Sequence, residues 1–264
     1  MKTPFPTTKE YPVIDILKVQ NILYEMLRVV KSILDSHNID YFVAFGTLMG
    51  LKKYHDFLPW DDDIDLFLFD EDYHQTMKIL ASELPHNLIV HGEHNDSMYF
   101  KSWNTVKNLN VQVKTANVYH SDNKKLGFPN LGLDLYKLKK VNAGNYENIR
   151  VQEFERFFRR KVATGMLDET DFLSELERAK GTFAEHSNDI LESNSVYYFF
   201  PVKMKRLLRS EDIFPLRKDK FRNLNVKVPA NIESVLKSSF SDIDALPVYT
   251  ERRPHLNSVV FINE

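Results

Sequence analysis

Apolar residues recur at three-and-four spacing from Val13 through Ile16, Leu17, Val19, Ile22, Leu23, Met26, Leu27, Val30 and Ile33 to Leu34. That spacing predicts an amphipathic helix over residues 13–36, with one face buried. Tyr41 to Phe45 is a compact aromatic and β-branched run, which predicts a strand. Gly46-Thr47 predicts a turn, and Leu48 to Lys53 a short helix. His55 to Pro59 connects to a second strand that ends Leu66-Phe67-Leu68-Phe69. Asp70 to Leu84 predicts a helix with Asp70 as its N-cap. Short strands follow at Leu88–His91, Met98–Trp103, Asn110–Val118 and Leu131–Leu138. The second half changes character: 144–163 and 169–191 are charged, Phe-rich and helical in pattern, with further helices near 203–209 and 230–240. The expected organisation is an α+β core over 1–140 and a mainly helical part over 141–264 packed on it.

Composition narrows the classes. The 264 residues are 43% hydrophobic and 12% aromatic, enough for a substantial core rather than disorder. Thirty-five basic and 37 acidic side chains leave a formal charge of −2, so no global field favours nucleic acid. The absence of cysteine excludes disulfides, zinc–thiolate sites and cysteine nucleophiles. Residues Met1 to Tyr11 lack the apolar centre of a signal peptide, and no apolar run approaches the roughly 18–20 residues of a spanning helix. A soluble, cytoplasmic protein is expected.

The second strand opens with Trp60-Asp61-Asp62-Asp63-Ile64-Asp65. Side chains alternate along a strand, so Asp61, Asp63 and Asp65 share one edge while Asp62 and Ile64 face away. Like charges crowded on an edge repel unless a cation neutralises them. Hard oxygen ligands suit Mg²⁺ or Mn²⁺. A calcium loop of the EF-hand type is excluded, because Leu66 and Asp72 stand where it needs Gly and Glu. A solvated acidic loop remains the competing reading. Upstream, Phe45-Gly46-Thr47-Leu48-Met49-Gly50 places a glycine turn before a helix, an arrangement whose backbone N–H groups bind phosphate.

The stretch FGTLMGLKKYHDFLPWDDDIDL, Phe45 to Leu66, resembles the signature of the LicD family, which includes phosphocholine transferases of bacterial surface glycans, and more distantly the fukutin-type proteins. Gly46-Thr47-Leu48, Gly50, Phe57, Pro59-Trp60 and the aspartate run carry the resemblance. The segment departs from the pattern at Lys53, Tyr54, His55 and Asp56, where Arg, His, Lys and Gly are common; Lys53 keeps the charge without the planar fork of Arg. The resemblance implies a nucleotidyltransferase fold of the DNA polymerase β type, a mixed sheet flanked by helices. It further implies metal-dependent transfer of phosphocholine, or a similar phospho-alcohol, from CDP-choline to a sugar hydroxyl, with release of CMP. A later strand supplies another carboxylate in such enzymes, which points to Asp134 within Leu131-Gly132-Leu133-Asp134-Leu135-Tyr136. An unpaired buried carboxylate is costly, which also favours a metal there.

The implied site has Asp61, Asp63, Asp65 and Asp134 as metal-holding catalytic residues around two ions, Mg²⁺ or Mn²⁺. Gly46, Thr47 and Lys53 are expected at the donor phosphates, while Arg252, Arg253 and His255 either reach the diphosphate or have a structural role. Tyr99, Trp103, Tyr136, Tyr197 and Tyr198 are available to cage choline. The basic, aromatic segment 154–161 reads as an ordinary helix burying its phenylalanines, the alternative being peripheral contact with a membrane carrying a lipid-linked glycan acceptor; Lys203, Lys205, Arg206 and Arg209 pose the same choice. The rivals are a glycosyltransferase using Asp-Ile-Asp for a nucleotide-sugar's metal, and a non-catalytic glycan- or nucleotide-binding protein.

Overall fold

The computed structural model describes residues 14–115, 127–142, 144–165, 167–181, 196–199, 207–245 and 252–262. The first helix, α1 (Ile16–Ser36), starts where the Asp15 carboxylate accepts the Lys18 N–H at 3.0 Å. Its buried face carries Val19, Leu23, Leu27, Val30 and Leu34, all fully buried. At roughly 1.5–3 kcal/mol per large aliphatic side chain, this face holds α1 in place far more than helix propensity does. Gln20, also on that face, donates to the carbonyls of Leu58 and Asp61 at 3.0 and 2.9 Å. A polar residue in the apolar stripe thus ties the acidic segment to the core.

Beyond α1 come β1 (Tyr41–Val43), α2 (Phe45–Tyr54), β2 (Ile64–Phe69), α3 (Asp70–Glu83), β3 (Leu88–His91), β4 (Asn104–Thr115) and β5 (Asn130–Val141). Then follow α4 (Tyr146–Ala163), α5 (Glu169–Gly181), β6 (Val196–Phe199), β7 (Leu208–Arg209), the single turn α6 (Ser210–Ile213), β8 (Arg217–Phe221), β9 (Leu224–Val228), α7 (Ile232–Ser239) and β10 (Leu256–Phe261). The main sheet runs β1-β2-β5-β4-β10, with β3 on β4, β6 on β5 and β7 on β6; β8 and β9 form a separate hairpin. Among the described residues, only β2 and β5 pair in parallel. The architecture is α+β with a mixed sheet, and α1 and α3 pack against the side of β5 that carries its leucines.

Several boundaries differ from expectation for physical reasons. The helix expected from Leu48 begins at Phe45, and the reversal out of β1 falls on Phe45 itself, whose φ of 44° lies in the left-handed region. Gly46 is helical. Asp70 is the first helical residue of α3 rather than its N-cap, and its carboxylate lies 3.4 Å from Lys137 Nζ. Residues 98–103 form a connector, and β4 starts at Asn104 instead of Asn110. In the second part α4 and α5 are helices, and α7 falls in the stretch expected near 230–240, but β6, β7 and the β8–β9 hairpin are strands, and β10 adds an outer strand to β4. The stretches 116–118, 182–191 and 203–206, placed in elements by sequence pattern, lie outside the described residues. No helix among the described residues is long and apolar enough to cross a membrane.

Candidate active site

Strand pairing brings the carboxylates together. In the parallel register of β2 and β5, Asp65 lies opposite Asp134; in the antiparallel register of β4 and β5, Thr105 lies opposite Asp134. The Thr105 hydroxyl donates to Asp134 Oδ1 at 2.5 Å. Asp61 to Asp63 form the segment just ahead of β2. Asp61, Asp62 and Asp65 are buried, and Asp63 is the most open of the four.

Burial pushes the Asp61 carboxyl well above the usual range, and the charges of Asp63 and Asp62 push further. Asp65 rises for the same reasons, burial first and then Asp63, Asp134 and Asp61, against the opposing pull of Lys101. Asp63 is raised to about 6 by burial and Asp62. Asp134 moves the other way. Burial opposes its ionisation, but Lys101, Lys107 and the Thr105 hydroxyl outweigh burial and hold it below the ordinary value.

These groups fit a divalent cation. Asp61 Oδ2 is buried and has no hydrogen-bond partner, a costly state for a carboxylate oxygen that a cation would relieve. Asp62, Asp63 and His255 offer one ligand atom each within 4.8 Å of one another, among the described residues. That group is not the one expected from alternation. Asp62 does turn away from Asp65, accepting the Leu256 N–H at 2.7 Å and lying 3.2 Å from His255 Nδ1. His255 reaches Asp63 as well, at 3.7 Å, and its hydrogen bond to Asp62 helps raise its imidazole to about 9. The C-terminal strand thereby meets the acidic segment. Arg252, by contrast, lies over the Trp60 ring at 5.7 Å.

The three residues expected at donor phosphate are separated. Gly46 sits against Asp61: a Cβ there would be 2.6 Å from Asp61 Oδ2, so glycine supplies space for the carboxylate, not a turn. Thr47 is turned to the backbone of β2. It is fully buried, and its hydroxyl accepts the Asp65 N–H at 3.0 Å, which clamps α2 to β2 and leaves no surface for a ligand. Lys53 is not brought to the carboxylates either. It stands in the last turn of α2, seven residues or about 10 Å along the axis from Gly46, and donates to the Asp244 carbonyl.

Sequence reasoning missed Lys101, Thr105 and Lys107. Lys101 is buried with its Nζ 4.0 Å from Asp134 Oδ2. Lys107 donates to the Asn130 carbonyl at 2.8 Å, and burial together with neighbouring Lys101 lowers its ammonium to about 7. Gly132 makes this crossing possible, since a Cβ would lie 2.5 Å from Thr105 Cγ2 and 3.0 Å from Lys107 Nζ. The detectable signal was spacing: Lys101, Trp103, Thr105 and Lys107 alternate as strand neighbours do.

Of the aromatic candidates, Trp103 and Tyr136 stack at 4.8 Å, with Lys101 Nζ 5.1 Å from the Trp103 ring centre. The Tyr99 hydroxyl donates to the Trp103 carbonyl. Tyr197 and Tyr198 belong to β6, where Tyr197 meets Phe69 and Tyr198 meets Tyr146. In α4, Phe154 and Phe158 turn inward onto Phe172. Lys203, Lys205 and Arg206 lie outside the described residues, and Arg209 is exposed on β7.

Residues 38–130 match the family model described as LicD/FKTN/FKRP, nucleotidyltransferase domain. An uncharacterized protein of Rickettsia prowazekii is 25% identical over 137 residues, 47% of this chain and 48% of that protein. A second, from Rickettsia typhi, is 28% identical over 134 residues, 47% of this chain and 40% of that protein. The lipopolysaccharide cholinephosphotransferase LicD of Haemophilus influenzae is 28% identical over 64 residues, 24% of each chain. The chain thus spans half or less of the length of these relatives.

Proposed function

We propose, from the match of residues 38–130 to the LicD/FKTN/FKRP nucleotidyltransferase domain, that this is a LicD-family protein and a metal-dependent transferase of phosphocholine, or a similar phospho-alcohol, from CDP-choline to a sugar hydroxyl of a bacterial cell-surface glycan, with CMP released. The registered pairing of Asp65 with Asp134, beside the crowded Asp61 and Asp63, carries this reading. Asp61, Asp63, Asp65 and Asp134 hold Mg²⁺ or Mn²⁺ in this proposal, with Asp62 and His255 supporting Asp63 from the other side. Bound there, divalent cations would neutralise the donor diphosphate and stabilise the charge developing in an in-line displacement. Asp134 is held ionised by its lysines and hydroxyl, which makes it a standing negative ligand rather than a proton acceptor. The α2 N-terminus at Gly46 faces the same carboxylates and offers backbone N–H groups to a donor phosphate oxygen. Trp103 and Tyr136 give a stacked aromatic surface beside Asp134 for a quaternary ammonium. The nucleotidyltransferase fold and a cytoplasmic setting belong to the same reading.

Product analysis tests it. Incubation with CDP-choline, Mg²⁺ and candidate sugar acceptors is expected to yield CMP and a phosphocholine-modified sugar by mass. A free sugar released from a nucleotide-sugar, with CDP-choline untouched, would replace this reading by glycosyl transfer.

A further inference from the structure

The connector from α2 to the acidic segment is gripped by one residue of the β8–β9 hairpin, far away in the chain. Arg222 stands in that hairpin's two-residue turn with a φ of 53°, and its N–H donates to the His55 carbonyl at 2.6 Å. Its Nε donates to Asp56 Oδ1 at 2.6 Å and its Nη1 to Asn21 Oδ1 at 2.8 Å. The guanidinium carbon lies 5.3 Å from the Tyr24 ring centre and 5.1 Å from that of Phe57. Asp56 is one of the positions at which the segment departs from the pattern it resembles, so this grip is built on a feature of this chain.

The hairpin does not need the guanidinium to stay in place. Phe221, Val226 and Val228 are buried in the core, and Phe221 meets Phe57 edge-on at 4.9 Å. The polar contacts fall instead on the stretch that leads to Asp61. Asn21 reaches Asp56 through Arg222, while its neighbour Gln20 holds the carbonyls of Leu58 and Asp61, so consecutive residues of α1 secure both ends of 56–61. Asp61 has little slack, since a Cβ at Gly46 would lie 2.6 Å from its Oδ2. A shift of the connector therefore displaces a carboxylate of the site.

We propose that Arg222 is a positioning residue for the carboxylate site: its grip on Asp56 and Asn21 sets where Asp61 stands, and thereby how tightly the site holds a divalent cation. The proposal deepens the metal-dependent reading and rests on it for the ion. Its effect has a sign that separates geometry from field. Taking a positive charge away from a cation site strengthens cation binding by Coulomb's law, whereas loss of a supporting contact weakens it.

Titration of the full chain with Mn²⁺, read by the paramagnetic resonance of the free ion well below the melting temperature, tests it. Arg222→Gln should weaken binding about tenfold, despite the lost positive charge. Arg222→Lys, which keeps the charge without the planar fork, should fall between that variant and the unaltered chain. Hydrogen exchange of the amides of 57–61 in EDTA should quicken in Arg222→Gln, a change that requires no metal. Unchanged exchange there, or Mn²⁺ binding by Arg222→Gln that is unchanged or tighter, overturns the proposal whatever happens to the melting temperature. If Arg222→Gln fails to fold, Arg222→Lys decides alone: with charge conserved, weaker Mn²⁺ binding reports position, and equal binding overturns the proposal. An unaltered chain that binds no Mn²⁺ overturns the carboxylate reading and this one with it, whereas equal binding by the unaltered chain and both variants overturns this one only.

Discussion

The two faces of β2 are built from alternate residues of one strand, yet they obey opposite rules. Ile64, Leu66 and Leu68 are buried against the helices, where each contributes by leaving water and contacting close-packed neighbours. On the other face, Phe67 and Phe69 continue an aromatic cluster with Phe42 and Phe45, but Asp65 breaks it with a buried charge facing Asp134. One face stabilises the fold through what it removes from water. The other stores electrostatic cost at its N-terminal end, held in place because the first face fixes the register. A one-residue slip would exchange the two, so the apolar face dictates where the carboxylates stand.

The sharpest test of that contrast is Asp65→Asn. Turnover is expected to fall about a thousandfold, as loss of a metal-holding carboxylate implies. Thermal unfolding of the metal-free chain should occur at the same or a higher temperature, because a raised, burdened carboxylate has been neutralised. A marked loss of stability with activity retained would reverse the assignment of the two faces.

Leu66→Ala probes the other face. It should destabilise the chain by about 2–5 kcal/mol in denaturant titration, since the side chain is fully buried and leaves a cavity. Activity per folded molecule should change little.

The smallest effect is a pH dependence. The folded chain holds the Asp63 proton up to about 6, above the ordinary carboxylate value, because burial and Asp62 disfavour its charge. The folded state therefore binds more protons than the unfolded state between about 4 and 6, and stability falls as pH rises through that window. Asp61 and Asp65, also raised by burial and their neighbours, add to the fall. Saturating Mg²⁺ binds the ionised form, so it should flatten or reverse the slope and raise the melting temperature by a few degrees near neutrality, but not at pH below about 4. Melting curves with EDTA and with Mg²⁺ check it; identical slopes would show that these carboxylates hold no cation.

Local pattern determined much of this protein. The spacing over 13–36 locates α1, the apolar run after Asp65 locates β2, and Leu131 to Leu138 locates the heart of β5, because buried faces impose a period that one segment reveals by itself. Four aspartates in five residues likewise announced a charge problem. What the segment alone left undetermined was which groups meet. The β2–β5 register sets Asp134 beside Asp65, the β4–β5 register sets Thr105 beside Asp134, and β10 returns His255 to Asp62 from 193 residues away. Thr47 and Lys53, upstream of the acidic run, were parted by α2: packing turns the Thr47 hydroxyl to the Asp65 N–H, and the helix axis carries Lys53 away to the Asp244 carbonyl. Lys101, in the connector ahead of β4, and Lys107, in β4, were brought in by the pairing of β4 with β5, which no local pattern specifies. Hydrophobic periodicity is a property of one segment, whereas the balance of buried charge depends on the pairing of several, and only the folded sheet decides it.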